Sequence, residues 1–272
     1  MNPMIRKELR QRMRERRGWI LPSLYLLVLS AIISFAYYGV SSESSATMQG
    51  WQIGTVLFLT LTYSQLALLL LMAPIFSAGA LTIEKEQRTL GGLLTSLLGP
   101  VQIWWGKFAA SLMFILLLLV IGIPVLSVVF AFGGVGPWGV GIVAFTTLVI
   151  LGTISAISLY WSSAFRRSVH ATAVSYVTVV SMTVVTLIIF GIAMSRVHSG
   201  DGWHSIPLKV RAPLYLNPLF FLTSALVPKN QLYPEWFICL GVFVALAALC
   251  ADQQQTRDVH AGDQQQQSCP AE

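Results

Sequence analysis

Charged side chains are scarce in this sequence: Asp, Glu, Lys and Arg make up 10% of 272 residues, whereas a soluble domain carries about a quarter. That shortage excludes an ordinary water-covered surface and makes a bilayer the expected solvent. Cysteine is scarce as well, and Cys239, Cys250 and Cys269 show neither disulfide nor metal spacing, so they read as inert. Nucleotide chemistry lacks its loop: Lys107 follows Gly106, but position 101 is Val and position 108 is Phe, which breaks G-x-x-x-x-G-K-[ST]. No HExxH, CxxC pair or G-x-S-x-G is present, so hydrolytic and metal chemistry have no carrier. The chain is expected not to be an enzyme and to bind no cofactor of its own. Nor does an acid, base or histidine stand near the centre of an apolar run, as a proton relay would require. His170 comes closest, but it follows Arg166 and Arg167 at a wet flank.

What the sequence has in abundance is apolar length. Hydrophobic residues make up 55% of it and mean hydropathy is +0.71. Apolar runs fall near 19–40, 54–81, 108–132, 140–163, 169–194 and 235–251. Each is long enough for a helix across about 30 Å of hydrocarbon, where backbone groups must bond internally. Short alternating segments, the mark of a transmembrane barrel, do not dominate. The expected fold is an all-α integral membrane protein of about six transmembrane helices, spanning 19–251. The first run is too long for a signal-peptide core and no cleavage site follows it. Basic residues set the orientation: with the amino terminus in the cytoplasm, 13 of the 17 Lys and Arg fall inside and 4 outside. Both termini are then cytoplasmic, in a multi-pass protein of a prokaryotic inner or plasma membrane. The net charge of +6 is explained by these flanks, so nucleic acid is not an expected partner.

Residues 1–18 read as an amphipathic helix on the inner membrane surface, because Ile5, Leu9 and Met13 recur every four residues between basic ones. Arg6, Lys7, Arg10, Arg14 and Arg17 would meet lipid headgroups, each worth about 1 kcal/mol beside anionic lipid. The second run is uncharged from Ser44 through Ile83, so it should outlast the bilayer, with Pro74 and Gly79 as possible kinks. Gly50 and Gly54 form a G-x-x-x-G only at its outer edge, where loop flexibility is the expected use. The outer connection 195–234 contains an apolar piece of about 14 residues opened by Asn217-Pro218. Asn followed by Pro can start a helix, and this one is too short to span. It reads as re-entrant or interfacial, the rival being a seventh span. The Gln-rich stretch 252–272 reads as a disordered cytoplasmic tail. Neutral polar residues inside the spans, Tyr63 and Gln65 in the second and Ser175, Tyr176, Thr178, Ser181, Thr183 and Thr186 in the fifth, could line a path. Hydroxyls that join helices are the commoner use.

The cytoplasmic segment 84–107 is the most informative. Glu84-Lys85-Glu86-Gln87-Arg88 meets an amphipathic stretch, Thr89-Leu90-Gly91-Gly92-Leu93-Leu94-Thr95-Ser96, followed by Gly99-Pro100 and Ile103-Trp104-Trp105-Gly106-Lys107. An exposed apolar stretch between spans needs headgroups or a partner protein to cover it. This segment resembles the membrane subunits of type-2 ABC exporters, whose second span ends in a charged cluster, T-L-x-x-L-L-T-[ST]-P and a later G-K. Glu84, Glu86, Thr89, Leu90, Leu93, Leu94, Thr95, Ser96, Ile103, Gly106 and Lys107 match without a gap, while Leu97 replaces the usual Pro and Gly91 a frequent Glu. The leader Asn2-Pro3-x-x-x-Lys7-Glu8-Leu9 and the outer Leu216-Asn217-Pro218 are similar to that family too.

The resemblance implies a half-sized permease, working as a homodimer or as a heterodimer with a second permease. It would sit in membrane lipid on separately encoded ABC-type ATPase subunits that hold the ATP and Mg. Glu84, Glu86, Arg88, Thr89, Leu90, Leu93, Leu94 and Thr95 would couple to those subunits. The leader would be an elbow-like connecting helix. Spans two and five would face the dimer interface where substrate crosses, placing Tyr63, Gln65, Ser175, Tyr176, Thr178 and Ser181 along the path. A non-transporting membrane scaffold and a channel are the rival readings.

Overall fold

The computed structural model describes residues 17–43, 50–86, 100–133, 136–165, 167–194, 212–226 and 233–267. These form helices α1 (Arg17–Glu43), α2 (Gly50–Glu86), α3 (Pro100–Ile121), α4 (Ile123–Phe132), α5 (Pro137–Ala164), α6 (Ser168–Met194), α7 (Pro218–Leu226) and α8 (Tyr233–Gln267). A 3-10 turn, Ala212–Leu216, precedes α7. No strand occurs among the described residues. Among the described residues, six helices are long and apolar enough to cross a membrane: Trp19–Ser41, Trp51–Gly79, Trp105–Leu126, Pro137–Ala164, Ser168–Ile189 and Glu235–Gln253. The protein is an all-α, multi-pass membrane fold. With 9 residues, α7 reaches only about 14 Å at 1.5 Å per residue, so it is not a seventh span.

Helices α2 and α5 form the centre. Each packs on the other and on most of the remaining elements: α2 touches α1, α3, α4 and α6, while α5 touches α3, α6, α7 and α8. The gradient of burial follows: 56% of the apolar window of α5 is buried, against 11% for α1 at the periphery. Leu57, Leu61, Leu66, Leu69 and Ala73 of α2 and Ile150, Leu151 and Ile154 of α5 supply much of the core. Lipid is as apolar as these side chains, so burial alone does not drive the helices together; close packing and polar ties do. Such ties run from the Thr82 N–H to Ser162 Oγ (3.2 Å) and from Thr153 Oγ1 to the Phe243 carbonyl (3.1 Å).

Three expectations change. The run 108–132 is not one helix: it breaks at Gly122, whose N–H is shared between the carbonyls of Leu118 and Leu119 at 3.1 Å each. Pro124, two residues on, has no N–H to continue the ladder. By contrast α2 is continuous over 37 residues with Pro74 inside it. Gly54 does not serve a loop. It lies inside α2 against the turn at Gly133, and a Cβ there would stand 2.0 Å from the Gly133 carbonyl oxygen. Finally, α8 continues to Gln267, where disorder was expected from residue 252. Its last turns extend a helix already nucleated by the span, and Ala and Gln favour helix. The leader helix 1–18 lies outside the described residues apart from its end, where Arg17 opens α1.

Candidate functional site

Of the coupling residues, Glu84 and Glu86 lie in the last turn of α2, while Arg88, Thr89, Leu90, Leu93, Leu94 and Thr95 lie outside the described residues. So do Arg6, Lys7, Arg10 and Arg14 of the leader. Glu86 is exposed, and its Oε1 accepts two hydrogen bonds from Ser168, from the backbone N–H at 2.7 Å and from Oγ at 3.1 Å. Ser168 is the first residue of α6. A carboxylate there satisfies an N–H that has no partner within its own helix and meets the positive end of the helix dipole. Thus the end of α2 from which the 87–99 connection departs is fastened to the beginning of α6.

The same end of the bundle holds Lys107, fully buried in α3 at 1% exposure. Charge counting treated it as a wet flank; the structure places it inside. The other buried charged residue among those described, Glu235, is at the opposite end, in the first turn of α8, where the dipole again favours a carboxylate. Beside it, Trp236 Nε1 donates to Thr146 Oγ1 at 2.9 Å, tying α8 to α5. Glu235 and Trp236 were not foreseen as structural contacts, although Pro and Glu in a first helical turn are a start signal.

The path residues do not converge. Tyr63 and Gln65 are two apart on α2 and therefore point to nearly opposite faces, roughly 160° apart. Tyr63 Oη shares a 2.8 Å hydrogen bond with Thr223 Oγ1 of α7. Gln65 turns instead toward the break in the third span: a Cβ at Gly122 would lie 3.1 Å from Gln65 Nε2 and 3.3 Å from Tyr25 Oη. In α6, Ser175 bonds the Ala171 carbonyl (2.8 Å), Thr178 that of Val174 (2.8 Å) and Ser181 that of Thr178 (2.9 Å). These hydroxyls return to their own helix. Tyr176 differs, because its hydroxyl donates across to the Leu71 carbonyl of α2. Tyr63→Phe should therefore act on packing. We expect it to lower the unfolding free energy by about 0.6–1.7 kcal/mol, the range of one hydrogen bond between membrane helices, measured by SDS titration from bilayer-like micelles.

The most complete polar constellation surrounds Asn217, which is fully buried. Its Oδ1 accepts the Leu219 N–H at 2.8 Å and the Phe220 N–H at 3.4 Å, capping α7. Its Nδ2 donates to Thr186 Oγ1 at 2.7 Å and to the Thr183 carbonyl at 3.2 Å, both in α6. One side chain thus starts the short helix and pins it to the fifth span. The Asn-Pro start was legible in the sequence; the bonds to Thr183 and Thr186 were not.

The order of six spans, the fastened α2–α6 end and the capped Asn217-Pro218 helix lie within a stretch that matches the ABC-2 family transporter proteins over residues 3–251. The chain belongs to the ABC-2 transporter family. It is thereby a permease component of an ABC transporter, a membrane transport component whose family associates with ABC ATPase subunits. No curated protein matches the chain. The match covers the leader from Pro3 onward, the 84–107 segment and Asn217 alike, so the ABC-2 match extends over all but Asn2 of the residues that carried the resemblance in sequence.

Proposed function

We propose that the chain is the path-forming half of an ABC exporter, paired with a second permease chain, identical or paralogous, and driven by separate ATPase subunits on the cytoplasmic side. ATP and Mg would be held by those subunits. Residues 84–107 would be the coupling segment, with Leu90, Leu93 and Leu94 as the apolar face covered by the ATPase. The observation that carries this reading is the Glu86–Ser168 attachment: the helix end that leads into the coupling segment is bonded to the start of α6, so a push on the segment reaches two spans together. An apolar, exposed face on α6, including Val177, Val180, Val184 and Ile188, suits a second permease copy or lipid. The basic leader and the 13-to-4 distribution of Lys and Arg support a cytoplasmic position for the Glu86 end. The mid-span groups are hydroxyls and amides rather than charges, which favours an amphiphilic or apolar cargo.

Gentle purification from native membranes tests the assignment. An ATPase is expected to accompany the chain. Leu93→Asp together with Leu94→Asp should lower its recovery by about tenfold or more, since charge in an apolar contact core costs several kcal/mol. Absence of any ATPase under all mild detergents would leave the scaffold or channel reading in its place.

A further inference from the structure

Between α2 and α6 the described residues hold polar ties at three heights. At one end Glu86 takes both donors of Ser168. Midway, the Tyr176 hydroxyl donates to the Leu71 carbonyl. Toward the other end the two helices are joined through a third element: Tyr63 of α2 bonds Thr223 of α7, and Asn217, which caps α7, bonds Thr183 and Thr186 of α6. Elsewhere in α6, Ser175, Thr178 and Ser181 bond only backward along their own helix in these contacts, so the crossing ties stand apart from routine back-bonding. The short helix α7 also packs on α5, the most buried span of the bundle, and on α8. It is therefore held between a fixed wall and the α2–α6 pair.

We propose that Glu86 and Asn217 are the two terminal positioning residues of one mechanical linkage, in which α6 carries a displacement of the coupling end of α2 to the capped helix α7. This deepens the permease reading and rests on it for the source of the displacement. A helix transmits along its axis because its backbone bonds resist stretching, and energetic coupling over such distances needs rigid elements joined by contacts with two arrangements. Glu86 supplies the inner joint: its bonds to Ser168 are exposed to water and can be made and broken at little cost. Asn217 supplies the outer joint, a buried one, so a shift of Thr186 must either drag α7 or break the Nδ2 bonds. Coupling of this kind is reciprocal. Loosening the Glu86 end must therefore loosen the Asn217 end even with no ATPase present.

The test is amide hydrogen exchange of the full chain in lipid nanodiscs, read at Leu219 and Phe220, whose N–H groups bond Asn217. Glu86→Ala removes the inner joint. Ser168→Pro removes both of its donors while keeping a residue that the first helical position tolerates. Each should raise exchange at Leu219 and Phe220 by about tenfold, within the range of allosteric couplings, while the amides of Ile150 through Ile154 in α5 stay protected. Val169→Ala, at an exposed neighbour of Ser168, should change neither. Unchanged protection at Leu219 and Phe220 in both joint variants would overturn the linkage, as would a rise shared by the α5 amides or by Val169→Ala. Because the measurement uses the chain alone, failure to recover an ATPase removes the proposed engine without touching this result, and a negative result here leaves the permease assignment standing.

Discussion

Replacing Gly54 with alanine will cost about 3 kcal/mol of unfolding free energy, the upper part of the range for overpacked sites. The added Cβ would come within 2.0 Å of the Gly133 carbonyl oxygen and 3.0 Å of its carbon. Those are backbone atoms, so no side-chain rotation relieves the overlap: either α2 moves off the turn that ends the third span, or the turn opens. The turn itself depends on glycine at 133, whose φ of +77° is in the left-handed region that glycine enters freely and side-chain-bearing residues avoid. Gly39→Ala and Gly141→Ala, where nothing lies within 4 Å, are the controls. They should be neutral or slightly stabilising, since alanine loses less backbone entropy than glycine in a helix by about 0.5–1 kcal/mol. SDS titration of the three variants beside the parent protein checks the ordering, and a Gly54→Ala protein as stable as the two controls would show that the contact at Gly133 yields freely.

Gly54 also marks where reading the sequence stops. A G-x-x-x-G at the edge of a span says that something small is tolerated there; it does not say which backbone approaches, and here the partner is 79 positions away in the turn at Gly133. The spans themselves were legible because each one had to match its solvent along its whole length, a constraint read locally. Lys107 shows the cost of that logic. Counted as a basic flank it helped to fix orientation, yet its side chain is inside the bundle, and flank position along the chain does not determine which way a long side chain turns. The break at Gly122 had its signal in Pro124, but continuous hydrophobicity through residue 132 outweighed it. Tyr63 and Gln65 looked like a pair because polarity in a span is conspicuous, while helical geometry alone is enough to set them on different faces. Glu86 was identified by its place in a charged cluster, and its partner Ser168, 82 residues on, had no signal of its own.

Asn217 combines the legible and the illegible, and its replacement should be the other large effect. Asn217→Ala removes the cap on α7, worth about 1 kcal/mol, together with two bonds into α6 worth about 0.6–1.7 kcal/mol each. It also leaves the Leu219 N–H unsatisfied in a buried site, so the expected loss is about 2–4 kcal/mol, measured by the same SDS titration. The two functions of the side chain are separable. Asn217→Asp keeps an oxygen for the Leu219 N–H but loses the Nδ2 donor and faces the Thr183 carbonyl with negative charge, so it should retain the cap and lose the clasp. Thr186→Val removes the 2.7 Å bond from Asn217 together with the hydroxyl's own back-bonds to the Met182 and Thr183 carbonyls, leaves the cap on α7 in place, and should cost no more than about 1.7 kcal/mol. If the clasp to α6 and the cap on α7 both contribute, Asn217→Ala must exceed Thr186→Val by roughly the value of a cap. Equal losses in the two variants would mean that Pro218 and the surrounding packing start α7 without help, and that Asn217 is retained in the core only for its grip on the fifth span.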